Sequence, residues 1–250
     1  MVLGLTSVTL LELTVDMILR LAHDNKLTVI EWSERHLRHG DTAEAARLKK
    51  LSENAGLTIA AYHPDFDTCG GSDAEFEAIL DTAAALGTDT VSLTIASGSG
   101  ENPDDALDAL AHAVQHLAAL AEAHGLTLCL SYRRGSVLED YIRTTRFMEL
   151  VAHKNVFVSW QPNRTSSLIY NIFELKMLAP FVRLVYVSYL DAAARYTPII
   201  EGKDEWQQYL KVLKTSAKGG TLLFRDCKVE DFGSECALMQ EWVTDICPTA

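Results

Sequence analysis

Two spacings of apolar residues alternate along the chain. Short continuous runs cover Val2–Val8, Leu27–Trp32, Leu57–Tyr62, Thr88–Thr94, Leu126–Ser131, Val156–Trp160, Val182–Tyr189 and Thr221–Phe224. They are too brief for helices and too unbroken for strands with one wet face, which predicts strands buried on both sides. Between them the spacing changes to three and four, as in Val15, Ile18, Leu19 and Ala22, or Phe76, Ile79, Leu80 and Ala83, and predicts helices. Further helices are predicted over Thr42–Ala55, from Pro103 to about Ala123, and over Glu139–Val151, Leu168–Leu178, Glu205–Leu213 and Gly233–Val243. Asp41 with Glu44, Ser72 with Glu75 and Ser136 with Glu139 have capping-box spacing. Asn102-Pro103 reads as a cap followed by proline at the first helical position, and Gly56 and Gly125 read as helix stops before strands. Strict alternation of eight strand–helix units predicts a parallel sheet, and eight units in this length predict one closed (β/α)8 barrel over residues 1–250.

Composition narrows the class. The chain has 250 residues, 48% of them hydrophobic, enough for one large core. A net charge of −12 disfavours nucleic acid and anionic membranes, which need a basic footprint. No apolar run is long enough to span a bilayer, and the first residues lack the basic region and cleavage site of a signal peptide. Five cysteines without a Cys-x-x-Cys pair argue against a disulfide framework. A cytoplasmic protein with a small-molecule partner is expected, and self-association into a homo-oligomer stays open.

Active sites of such barrels gather at the carboxyl ends of the strands. That rule selects Ser7, Glu31, Trp32, His36, Tyr62, His63, Asp65, Thr94, Ser131, Arg133, Arg134, Trp160, Gln161, Tyr186, Ser188, Arg225 and Asp226. Arg225 and Arg133 suit a carboxylate or phosphate, or the negative charge of an enediolate; alternatively they pair with Glu31, Asp226 or Glu230 and keep the mouth neutral. Glu31 and His63 are candidates for proton transfer. His36, Tyr62, Ser131, Trp160, Gln161 and Tyr186 offer hydrogen bonds and ring faces to a ligand, although aromatics at strand ends are more often core. A glycine-serine loop from Ser97 to Asn102 has the make-up of an anion cradle or of a plain linker. His112 and His116 are a helical turn apart, but opposite the apolar face of their helix, which places them in solvent.

The chain resembles the xylose-isomerase-like barrels, which include sugar phosphate isomerases and epimerases, hydroxypyruvate isomerase and, more distantly, endonuclease IV. Gly4-Leu-Thr-Ser-Val-Thr, Ile30-Glu-Trp with His36 beyond it, Gly56-Leu-Thr with Tyr62, Val158-Ser-Trp-Gln-Pro-Asn and Glu201-Gly-Lys-Asp-Glu-Trp carry the resemblance in order and spacing. It implies a divalent metal held by a glutamate ending strand five, an aspartate or glutamine at strand six, a histidine near strand six or seven and a glutamate ending strand eight. At those places this chain has Ser131, Gln161, Tyr186 and Arg225, a poor shell for a hard cation. The expectation is therefore a sugar isomerase- or epimerase-like protein for a small polyhydroxylated or keto-acid ligand, with no metal or other cofactor. The alternatives are an inactive member that binds such a molecule, or a metal site rebuilt from Glu31, His36, His63 and Asp65.

Overall fold

In the computed structural model, residues 1–95, 103–131, 136–191, 193, 195–215 and 220–247 are described. Eight strands, β1 (Val2–Thr6), β2 (Val29–Ser33), β3 (Thr58–His63), β4 (Thr90–Thr94), β5 (Thr127–Ser131), β6 (Val156–Trp160), β7 (Val182–Val187) and β8 (Thr221–Phe224), pair in parallel, and β8 closes on β1. Eight helices follow in turn: α1 (Val15–Asp24), α2 (Thr42–Asn54), α3 (Asp73–Leu86), α4 (Pro103–Ala123), α5 (Tyr141–Val151), α6 (Leu168–Leu178), α7 (Lys203–Thr215) and α8 (Phe232–Ile246). The molecule is a single (β/α)8 barrel. No described helix is long and apolar enough to cross a membrane.

The predicted caps largely hold. Asp41 and Ser72 accept from Glu44 and Glu75 backbone N–H groups, and Gly56 and Gly125 take left-handed backbone angles, where a side chain would be strained. One cap is corrected. Ser136 is buried, and α5 starts at Tyr141 with Asp140 accepting from Arg143 N at 2.9 Å. Asn102 and the Ser97–Asn102 loop lie outside the described residues. The first strand stops at Thr6, where the chain tightens into a 3-10 turn over Ser7–Thr9. His112 and His116 are exposed on α4, and His116 meets Asp73 at 2.8 Å.

Strand alternation divides the core into two layers, because successive side chains point to opposite faces. Ile30, Trp32, Tyr62, Trp160, Val185 and Phe224 belong to the large apolar layer between sheet and helices. Val29, Ala61, Cys129, Leu184, Tyr186 and Leu223 form the small cluster inside the barrel. A register shift between β2 and β3 sets Glu31 beside Ala61 and Ser33 beside His63. Above the apolar floor, the barrel's interior is therefore polar.

Candidate functional site

The interior network is built on Glu31. This side chain is fully buried, and its Oε1 accepts the Tyr186 hydroxyl at 3.0 Å. Ser92 Oγ lies 3.2 Å from the Tyr186 hydroxyl and 3.0 Å from His63 Nδ1, while His63 Nε2 lies 3.2 Å from Thr94 Oγ1. A hydroxyl both donates and accepts, so two hydroxyls satisfy a neutral imidazole in either tautomer. Burial lowers the His63 pKa; nearby Glu31 raises it and Arg225 lowers it. Glu31 Oε1 is 3.9 Å from His63 Nδ1. Glu31 Oε2 has no hydrogen-bond partner among the described residues. Burial also raises the Tyr186 phenol, and Glu31 adds to that effect.

Arg225 caps this network. Its guanidinium carbon lies 4.7 Å from the centroid of the Tyr186 ring, a cation–π distance. Among the described residues no carboxylate is within ion-pair reach of Arg225. The alternative in which Glu31, Asp226 or Glu230 neutralises Arg225 is thus not what the fold adopts. Asp226 has a positive φ of 58°, turning the chain sharply after the strand, and its N–H donates to Thr9 Oγ1.

Beside Arg225 opens a cavity of about 380 Å³. Arg225, Asp226, Gln161, Asn163, Ser188 and Glu205 line it, with Glu139, Asn171 and Glu174 further round the wall. Glu205 sits within reach of the hydroxyls of Tyr189 and Tyr209, at 3.3 and 3.2 Å. Asn171 bonds the Asn163 backbone and the Tyr209 hydroxyl. The sequence reading passed over Glu205, Asn163 and Glu174 as site residues. Glu174 carried one signal, a carboxylate among the apolar positions of its helix.

The predicted residues divide by direction. Glu31, His63, Tyr186 and Arg225 come together at the barrel centre, and Gln161 joins Arg225 at the cavity. Ser131 Oγ is 2.7 Å from Ser159 Oγ on the next strand. Trp32, Tyr62 and Trp160 were expected in the ligand wall, but they face the helix layer: Trp32 donates to Ser52 Oγ, Trp160 donates to Glu174 Oε2, and the Tyr62 hydroxyl lies 2.7 Å from Glu34 Oε2 and 2.9 Å from the Leu37 carbonyl. His36 likewise bonds the Leu13 carbonyl, packs against Trp32 and has its pKa lowered by burial. Arg133 and Arg134 lie outside the described residues.

A model of the xylose isomerase-like TIM barrel family matches residues 19–224. The chain belongs to this family. No curated protein sequence matches it. Among solved structures, a xylose isomerase domain protein from Planctomyces limnophilus is 19% identical with a TM-score of 0.75, covering 99% of this chain and 97% of its own. The probable 3-DHS dehydratase AsbF of petrobactin synthesis from Bacillus anthracis is 13% identical, TM-score 0.79, covering 96% and 99%. The IOLI protein with a bound zinc atom is 13% identical, TM-score 0.77, covering 100% of both chains. At these identities the likeness carries the fold.

The residues present do not fit the divalent metal of such relatives. Ser131 is engaged with Ser159, Gln161 offers a neutral amide, Tyr186 holds Glu31, and Arg225 sets a permanent cation at the cavity. A guanidinium repels a metal ion and donates only. Among the described residues no three His, Cys, Asp or Glu side chains gather into a metal-binding group. Glu31 and His63 are neighbours, but His36 bonds the Leu13 carbonyl, so the four residues of the rebuilt site are not brought together.

Proposed function

We propose that the protein takes a small polyhydroxylated or keto acid into the mouth of the barrel, and that Arg225 meets the ligand's negative charge where family members use a divalent metal. One observation carries this reading: a guanidinium without a carboxylate partner among the described residues, seated on an aromatic ring at the wall of the cavity. The enolisation route for isomerisation, epimerisation or dehydration of such acids begins by removing a proton beside a carbonyl, which loads charge onto oxygen. A cation fixed in advance stabilises that charge without reorganising. Gln161, Asn163 and Ser188 supply the amide and hydroxyl groups that orient ligand hydroxyls.

Glu31 and His63, the acid–base pair expected from sequence, are buried and do not line the cavity. Their role in this reading is to hold the Tyr186 ring on which Arg225 lies. Glu205, on the wall with two tyrosine hydroxyls beside it, is the carboxylate placed to accept a ligand proton. The sealing of Glu31 and His63 also favours a second reading, a catalytically silent member that binds the same class of molecule.

The test uses chelator-treated protein and a panel of ketoses, keto acids and inositol derivatives, followed by calorimetry and turnover. Binding should survive the chelator, and Arg225→Gln should weaken it roughly ten- to a hundredfold, the worth of a charge-assisted bidentate contact. Turnover that Glu205→Gln abolishes while binding persists would support the enzyme. Binding without turnover would support the silent member. Activity that requires an added divalent ion, or unchanged binding by the Arg225 variant, would refute both.

A further inference from the structure

The helix α6 is apolar on its outward side as well as on the side that packs Leu175 and Leu178 into the core. Its two central polar residues, Asn171 and Glu174, are buried, whereas Ile169, Phe173 and Met177 face outward at 80%, 48% and 43% exposure. These three recur every four residues, so they form one stripe along the helix. On the neighbouring α5, Ile142 is 62% exposed. The Tyr141 ring bridges the two helices, lying 5.3 Å from Phe173 and 6.0 Å from Tyr170. The result is one apolar surface across both helices. A helix that is apolar all round is ordinarily covered on all sides, and a contiguous exposed patch, unlike a scattered leucine, marks an interaction site.

Charge selects what covers it. With a net charge of −12, two copies meeting at an average face would set carboxylates against each other. The outward stripe of α6 exposes no acid, and Lys176 is its one exposed charge; on α5, one turn and more beyond Ile142, Arg146 and Glu149 are exposed with opposite signs, which an antiparallel copy can set against each other. A two-fold contact uses the same patch on both partners. With the two helices antiparallel about Phe173, Lys176 of one copy, three residues beyond, faces Tyr170 of the second copy, three residues before. The cation then meets an aromatic ring instead of another lysine. A basic partner would be drawn to the acidic faces, and an anionic membrane needs a basic rim that an acidic chain lacks. We propose that this protein forms a two-fold homodimer through the outward faces of α6 and α5.

Sedimentation velocity on the full chain, from about 1 to 100 μM, tests the proposal across the range typical of specific self-association. The wild type should sediment as a dimer that dissociates on dilution. Ile169→Glu, at a side chain almost wholly in water, should raise the dissociation constant at least a hundredfold while far-UV circular dichroism and Tm stay unchanged. Phe173→Glu should do the same, with some loss of Tm because its ring touches Tyr141. Leu11→Glu, at a residue about as exposed as Phe173 but outside the patch, should leave the dimer intact. A wild type that remains monomeric at the highest concentration would overturn the proposal and leave the face to a different protein. A dimer that Ile169→Glu and Phe173→Glu fail to weaken, or that Leu11→Glu disrupts equally, would also overturn it.

Discussion

Replacing Tyr186 by phenylalanine deletes one oxygen atom and tests the energetics of the barrel's interior. The Tyr186 hydroxyl makes the one hydrogen bond that Glu31 has among the described residues, at 3.0 Å to Oε1, since Oε2 has no partner and His63 Nδ1 stands 3.9 Å away. Both side chains are buried from solvent, so water is not at hand to replace the lost donor. A hydrogen bond to a charged group contributes about 1.5–3 kcal/mol, and stranding a buried polar group adds its desolvation penalty. The expected loss is therefore about 3 kcal/mol. For a chain of this length each kcal/mol moves Tm by roughly 2–4 °C, so Tyr186→Phe should melt roughly 6–12 °C below the wild type, with a matching fall in the urea midpoint. Glu31→Leu combined with Tyr186→Phe should recover part of the loss, because the second change removes the stranded carboxyl. The double-mutant cycle measures that coupling directly. A Tyr186→Phe protein within about 0.5 kcal/mol of wild type, the usual range for a surface change, would refute the network as drawn.

Three further outcomes follow from the same structure, beside the Arg225 and Glu205 variants above. His63 is buried with its pKa lowered, so the unfolded chain binds its proton first as pH falls. Its contribution to stability is complete above about pH 6.5 and declines by up to about 1.4 kcal/mol per pH unit below that; His63→Gln should flatten that part of a Tm-against-pH curve, and an unaltered slope would contradict the assignment. Trp160→Phe removes the indole bond to Glu174, so melts should show a loss of about 1–2 kcal/mol, and a variant that melts with the wild type would contradict that bond. Gly4→Ala should yield little soluble protein, because a Cβ there would collide with the Val29 backbone carbonyl and side chain on the adjacent strand, and overlap with backbone has no easy relief; a folded variant with wild-type Tm would show that β1 and β2 can separate at that point.

The order of elements was legible in the sequence because it depends on local information. Strands buried on both faces read as continuous apolar runs, helices as a three-and-four spacing, and their boundaries as Asp41, Ser72, Gly56 and Gly125. The closed barrel followed from counting eight such units. Ser136 misleads because capping-box spacing is neither sufficient nor required: the chain buries Ser136 and lets Asp140, with Arg143 at the third position, cap the helix. The candidate site was legible only as a set of strand ends. Its membership turned on direction, which alternates residue by residue, so Gln161 enters the cavity while Trp160 beside it packs on helices, and His63 joins the interior while Tyr62 leaves it. Asn163 and Glu205 stand in the motifs that carry the resemblance and Glu174 among apolar helix positions, but their shared cavity exists only once helices and loops remote in sequence close around the mouth. What the residues determined by themselves was thus the fold and the presence of Arg225 where the resemblance implies a carboxylate; only the tertiary structure decided which side chains share the barrel's interior, because that depends on strand parity, register shifts and packing between distant segments.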